Sequence, residues 1–154
     1  MPYDEFIKTY TEKGLIKKQK QDFQSAEKFV MKAHKDLRAA QATPDIDEDI
    51  AYTIAYSAML HAGRAFMLSR GLRPADGQQH KTVCEFTAKN FGDEYKIIAK
   101  RFNDARKKRN ILIYDISLSV SKTETVSIML AAKEFIELIS GIIKKENPQL
   151  KFDF

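Results

Sequence analysis

Apolar residues recur along this chain at intervals of three and four, the repeat that lines up one face of an α-helix. Tyr3, Phe6, Ile7 and Tyr10 predict a short helix from Tyr3 to Lys13, ended by Gly14. Phe23, Ala26, Phe29, Val30, Ala33, Leu37 and Ala40 predict a second, from about Lys18 to Ala42. Thr43 as a cap, Pro44 at a first helical position and the acids Asp45, Asp47, Glu48 and Asp49 then open a third. It runs through Ile50, Ile54, Ala58, His61, Ala65 and Leu68 to Arg70, where Gly71 and Pro74 stop it. Its small residues Ala55, Ala58, Ala62, Gly63 and Ala65 let a neighbouring helix come close, which makes it a core helix.

The loop Arg73-Pro74-Ala75-Asp76-Gly77 leads into a shorter helix from about Gln79 to Asn90. Gly92 and Asp93 break the chain, and the next helix spans about Asp93 to Ile116. Ser121-Lys122-Thr123-Glu124 has the form of a capping box. It opens a last helix through Val126, Ile128, Met129, Leu130, Phe135, Leu138, Ile142 and Ile143, ending near Asn147-Pro148. Almost nothing reads as a strand. The predicted fold is all-α, an antiparallel up-down bundle of four-helix type with an extra short N-terminal helix.

Composition narrows the class. At 154 residues the chain suits one domain, 1–154, with its own core. No long apolar run predicts a membrane span, and MPYDEFIKTY is unlike a secretory signal. Cys84 stands alone, so internal disulfides and four-cysteine zinc sites are excluded, and a reducing cytoplasm is the expected location. The net charge of +5 is mild, but its distribution is uneven. Lys96, Lys100, Arg101, Arg106, Lys107, Lys108 and Arg109 crowd together against Asp104 alone, a patch that attracts phosphates or forms a solvated helix face.

On that helix Tyr95, Ile98, Phe102, Ala105, Leu112 and Ile116 form an apolar seam, and Arg109 occupies the seam position between Ala105 and Leu112. Such an arginine either snorkels to water or points into a protected cleft. Asn103, Arg106, Asn110 and Tyr114 form a polar stripe beside it, with Asn110 and Tyr114 as neighbours one turn apart and Asp115 available to a nearby base. The arrangement suits one phosphate and one base or ribose.

Two segments carry a family resemblance. Ala51-Tyr52-Thr53-Ile54-Ala55-Tyr56-Ser57-Ala58-Met59-Leu60-His61-Ala62-Gly63-Arg64-Ala65-Phe66 resembles the core helix of HEPN domains, followed by Leu68-Ser69-Arg70-Gly71-Leu72 and His80-Lys81. Arg106-Lys107-Lys108-Arg109-Asn110-Ile111-Leu112-Ile113-Tyr114-Asp115 resembles that family's signature of an Arg, four to six residues, then His. The resemblance covers residues 18–145. It implies a homodimer whose two motifs share a cleft, with RNA or a nucleotide as ligand and no cofactor. It also implies a metal-independent endoribonuclease, or a non-cleaving relative, in a toxin–antitoxin or related stress or defence module, often with a nucleotidyltransferase antitoxin as partner. By that resemblance Arg109 and Tyr114 are the catalytic candidates, and Arg106, Lys107, Arg109, Asn110 and Tyr114 the phosphate- or nucleotide-binding ones.

Tyr114 stands where the family has histidine. A histidine moves protons near neutrality, whereas a tyrosine hydrogen-bonds a phosphate or stacks on a base. Arginine keeps its phosphate grip, so binding is better supported than cleavage. Among the histidines, His61 reads as a hydrogen-bonded core residue, His34 as core edge and His80 as solvated. No pair has metal-ligand spacing. Cys84 reads as buried, and the acids before Ile50 as helix caps. Phe152 and Phe154 form a tail that packs on the bundle or on a partner. The alternative to nucleic-acid binding is a non-catalytic helical scaffold for a nucleotidyltransferase or another protein.

Overall fold

The computed structural model describes residues 2–43, 45–75 and 79–149. Six helices pack antiparallel: α1 (Tyr3–Glu12), α2 (Phe23–Ala42), α3 (Glu48–Ser69), α4 (Gln79–Phe91), α5 (Lys96–Tyr114) and α6 (Lys122–Glu146). A 3₁₀ turn, Asp93–Tyr95, precedes α5. The apolar-periodic runs fall on these helices, apart from Tyr95 and Ile116 just outside α5, and their buried members merge into one core. No helix among the described residues is long and apolar enough to cross a membrane.

The helix α3 is the axis of the molecule, touching α2, α4, α5 and α6. It is buried on every side, from Ala51 and Tyr52 to Phe66 and Met67, as expected of a helix that is apolar all round. Gly63 sets its closest approach. A Cβ there would lie 2.5 Å from Val83 Cγ1 of α4 and 3.4 Å from Phe102 Cε2 of α5. Three helices therefore converge at Gly63, and Phe102 carries the contact onward to Tyr56 and to Phe135 of α6.

Several boundaries differ from the sequence expectation: α5 is confined to Lys96–Tyr114, and the starts of α2 and α3 move. Residues Ile16–Lys18 form a strand, β1, paired antiparallel with β2 (Leu72–Pro74), so α2 begins at Phe23 and not Lys18. Ile16 is buried, Gln19 N–H bonds the Gly71 carbonyl, and Asp22 caps α2 by accepting from Ser25 N. Helix α3 is capped by Asp47, which accepts from Ile50 N at 3.1 Å. Thr43 instead ends α2, its hydroxyl bonding Ala39 O. Pro44 lies outside the described residues. The predicted capping box at Ser121 and Glu124 is formed.

Candidate anion-binding site

The site lies where α3, α4 and α5 meet. Arg64 follows Gly63 on α3; among the apolar side chains of that helix it is half-buried. Its Nη2 donates to Gln79 Oε1 at 2.9 Å. Its Nε is enclosed and has no hydrogen-bond partner among the described residues. An enclosed guanidinium N–H without an acceptor is costly unless something outside the fold supplies one.

His80, in the first turn of α4, faces the same region. Its Nδ1 is 3.0 Å from the Tyr56 hydroxyl, and the two rings lie 5.8 Å apart. Burial holds the His80 imidazole below its ordinary pKa, and the positive charges of Arg109, Arg64 and Arg106 push in the same direction. His80 is therefore half-buried and hydrogen-bonded, which corrects the expectation of a solvated residue. Burial also raises the pKa of the Tyr56 phenol, so it stays protonated as a partner for His80.

From α5, Arg106 donates through Nε to Asn103 Oδ1 at 3.1 Å, while Arg109 Nη1 donates to Asn110 Oδ1 at 3.3 Å. Arg106 also reaches Cys84, whose thiol is pushed up to about 12 by burial. Cys84 is thus a buried, unreactive thiol. Asn110 and Tyr114 stand one turn apart at the end of α5, as expected, with no hydrogen bond between them. Asn110 is engaged by Arg109, and Tyr114 is 85% exposed.

The apolar seam of α5 also ends early. Ile98, Ala99, Phe102 and Ala105 are buried, Arg109 and Leu112 are half-buried, and Ile116 is 100% exposed beyond the helix. Asp115 forms no ion pair among the described residues. It turns the chain by accepting from Ser117 N–H and Oγ, bonds that hold its carboxyl below the usual carboxylate range.

The basic patch divides. Lys108 pairs with Glu124 at 3.4 Å and Lys100 with Asp104 at 2.9 Å. Lys107 is exposed on the side facing α4. No acid among the described residues lies within ion-pair distance of Arg64, Arg106 or Arg109. Three guanidiniums and an imidazole held toward its neutral form make an electropositive site suited to a small anion.

Arg109 and Arg106 were legible in the sequence, whereas Arg64, His80 and Tyr56 were missed as a group. One signal was available: Arg64 lies in a helix that is otherwise apolar all round, where an arginine requires a partner. The expected core histidine, His61, bonds Asp36 at 2.7 Å. Asp47 and Asp49 are taken up by Ile50 N and Val120 N, and no cluster among the described residues could hold a metal ion. Phe152 and Phe154 lie outside the described residues. Compared with known proteins, the chain matches no family model and no curated protein.

Proposed function

We propose that this chain is a HEPN-like protein that binds RNA or a nucleotide by its phosphate, working as a homodimer in a toxin–antitoxin or related stress or defence module. The observation that carries the reading is the set Arg64, Arg106 and Arg109, gathered from two helices with no acid to neutralise it among the described residues. A phosphate oxygen is the natural acceptor for the enclosed Arg64 Nε. Tyr114, exposed beside Asn110, is available to stack on a base.

Support for the two-fold cleft comes from the end of α5. Ile113, one turn beyond Arg109, is uncovered and lines a recess with Leu112 and with Ile50 of α3. Uncovered apolar surface of this kind marks an interaction site. The same surface favours the second reading, a scaffold that docks a nucleotidyltransferase or another protein there.

Cleavage without metal is the enzymatic version of the first reading. With Tyr114 in the motif's histidine place, the proton would be handled by His80, whose Nδ1 is engaged by Tyr56 and whose Nε2 is bonded by no described residue. The test is RNA binding and cleavage in EDTA. Arg109→Ala and Arg64→Ala should each weaken binding about tenfold or more, the loss of a charge-assisted hydrogen bond. Any cleavage should vanish in His80→Ala and persist in Tyr114→Phe. Undiminished binding by both arginine variants would refute the site.

A further inference from the structure

A groove of about 820 Å³ runs between α4 and α5 and leads away from the arginine cluster. Two helical stripes build it. Lys81, Glu85, Ala88 and Lys89 recur at three- and four-residue intervals along α4, and Lys96, Ala99, Lys100, Asn103, Arg106 and Lys107 do the same along α5. The small residues Cys84, Ala88, Ala99 and Gly92 leave the space open between the charged rims.

Six of the lining residues are cationic and two, Glu85 and Asp93, are acidic. Glu85 is already engaged, since it accepts the Tyr10 hydroxyl and lies 3.8 Å from Lys81. Lys89, Lys96, Arg106 and Lys107 have no acid at ion-pair distance among the described residues. Arg106 belongs to both regions, since it lines the groove and its charge acts on His80. The groove and the arginine site therefore form one continuous electropositive track.

From Lys96 to Lys107 the α5 stripe rises about 16 Å, longer than one nucleotide needs. We infer that the ligand is a single RNA strand several nucleotides long, one phosphate held at Arg64, Arg106 and Arg109 and its neighbours running along the α4–α5 groove. This rests on the phosphate-binding reading above and selects strand over mononucleotide within it. Cations spaced along a trough match a repeating backbone charge. The trough has no aromatic or large aliphatic wall to anchor a protein side chain, as a docking peptide would need. With no aromatic side chain in the lining to stack a base on and cations as its most numerous members, recognition along the groove is chiefly by backbone charge.

The test compares a mononucleotide with RNA oligomers up to about twelve nucleotides, titrated into the full chain across a salt series. The parent should bind the longest oligomer about tenfold or more tighter than the mononucleotide. In Lys89→Gln/Lys96→Gln, two rim charges that do not touch the arginine site, most of that gain should disappear while mononucleotide affinity stays unchanged. The salt slope should fall by roughly 1.4, about 0.7 for each lost phosphate contact to a single strand. Affinity independent of length, or a gain that survives in the double variant, overturns the groove. If Arg109→Ala still abolishes mononucleotide binding in that case, the site reading stands without it. No binding of either ligand by the parent overturns both. Poly-glutamate that displaces no RNA supports the strand, while poly-glutamate binding in the groove where RNA does not assigns the track to an acidic protein.

Discussion

At the scale of single residues, the physics of the site is that of cations held where water is scarce. Arg64 projects from an apolar helix, and His80 is placed by Tyr56 within the field of three arginines. Burial and like charge both oppose protonation of His80, so its folded-state pKa lies below the unfolded value near 6.5. The unfolded chain then binds the proton more readily. The contribution of His80 to stability is intact above about pH 6.5 and is lost as the pH falls through the folded-state value. His34, also depressed by burial, acts in the same direction. Urea unfolding between about pH 7.5 and pH 5 should therefore show a steeper loss of stability for the parent than for His80→Gln. Superimposable pH profiles would mean that His80 does not feel the arginines.

At the scale of elements, the site depends on where α3 ends and how the chain leaves it. Gly71, at φ +72°, turns the backbone so that Leu72–Pro74 can pair with Ile16–Lys18. A Cβ at this position would lie 2.7 Å from the Gln19 carbonyl oxygen, in a left-handed conformation that side chains disfavour. Gly71→Ala should cost about 1–3 kcal/mol of stability, measured as a lowered denaturation midpoint with unchanged slope. A variant as stable as the parent would show that the turn relaxes without strain.

The same stretch shows why local pattern misplaced the start of α2. Lys17, Lys18, Gln19, Lys20 and Gln21 are good helix formers, and nothing in their order marks a strand. Pairing with a segment more than fifty residues away outweighs that propensity. Caps with a local signal, such as Ser121 with Glu124, were readable directly. Thr43 and Asp47 compete for one helix start, and the turn in which Ile46 and Asp47 N–H groups bond the Thr43 carbonyl decides it.

At the scale of the whole molecule, charge and apolar surface lie side by side. The arginine cluster opens next to the uncovered end of α5, where Ile113 is 45% exposed. If a second copy covers this surface, Ile113→Glu with Ile116→Glu should convert a dimer into a monomer of unchanged helicity, read by light scattering and circular dichroism. RNA affinity should fall with it, because each cleft would lose the partner's arginines. A parent that is monomeric at high concentration, or a double variant that stays dimeric, would sink the shared cleft.

Periodicity alone determined that this chain is a helical bundle with α3 at its centre, because burying an apolar face is a local pattern repeated every turn. It also determined that Arg109 and Asn110 share a basic helix. Only the tertiary structure decided that Arg64 of α3 and His80 of α4 join them, that Tyr114 points to solvent, and that Lys89 and Lys96 flank one groove. Those residues lie on different helices, and their proximity follows from the close packing that Gly63 permits. A sequence repeat records which face of a helix is buried, but not which side chains of other helices meet at its edge.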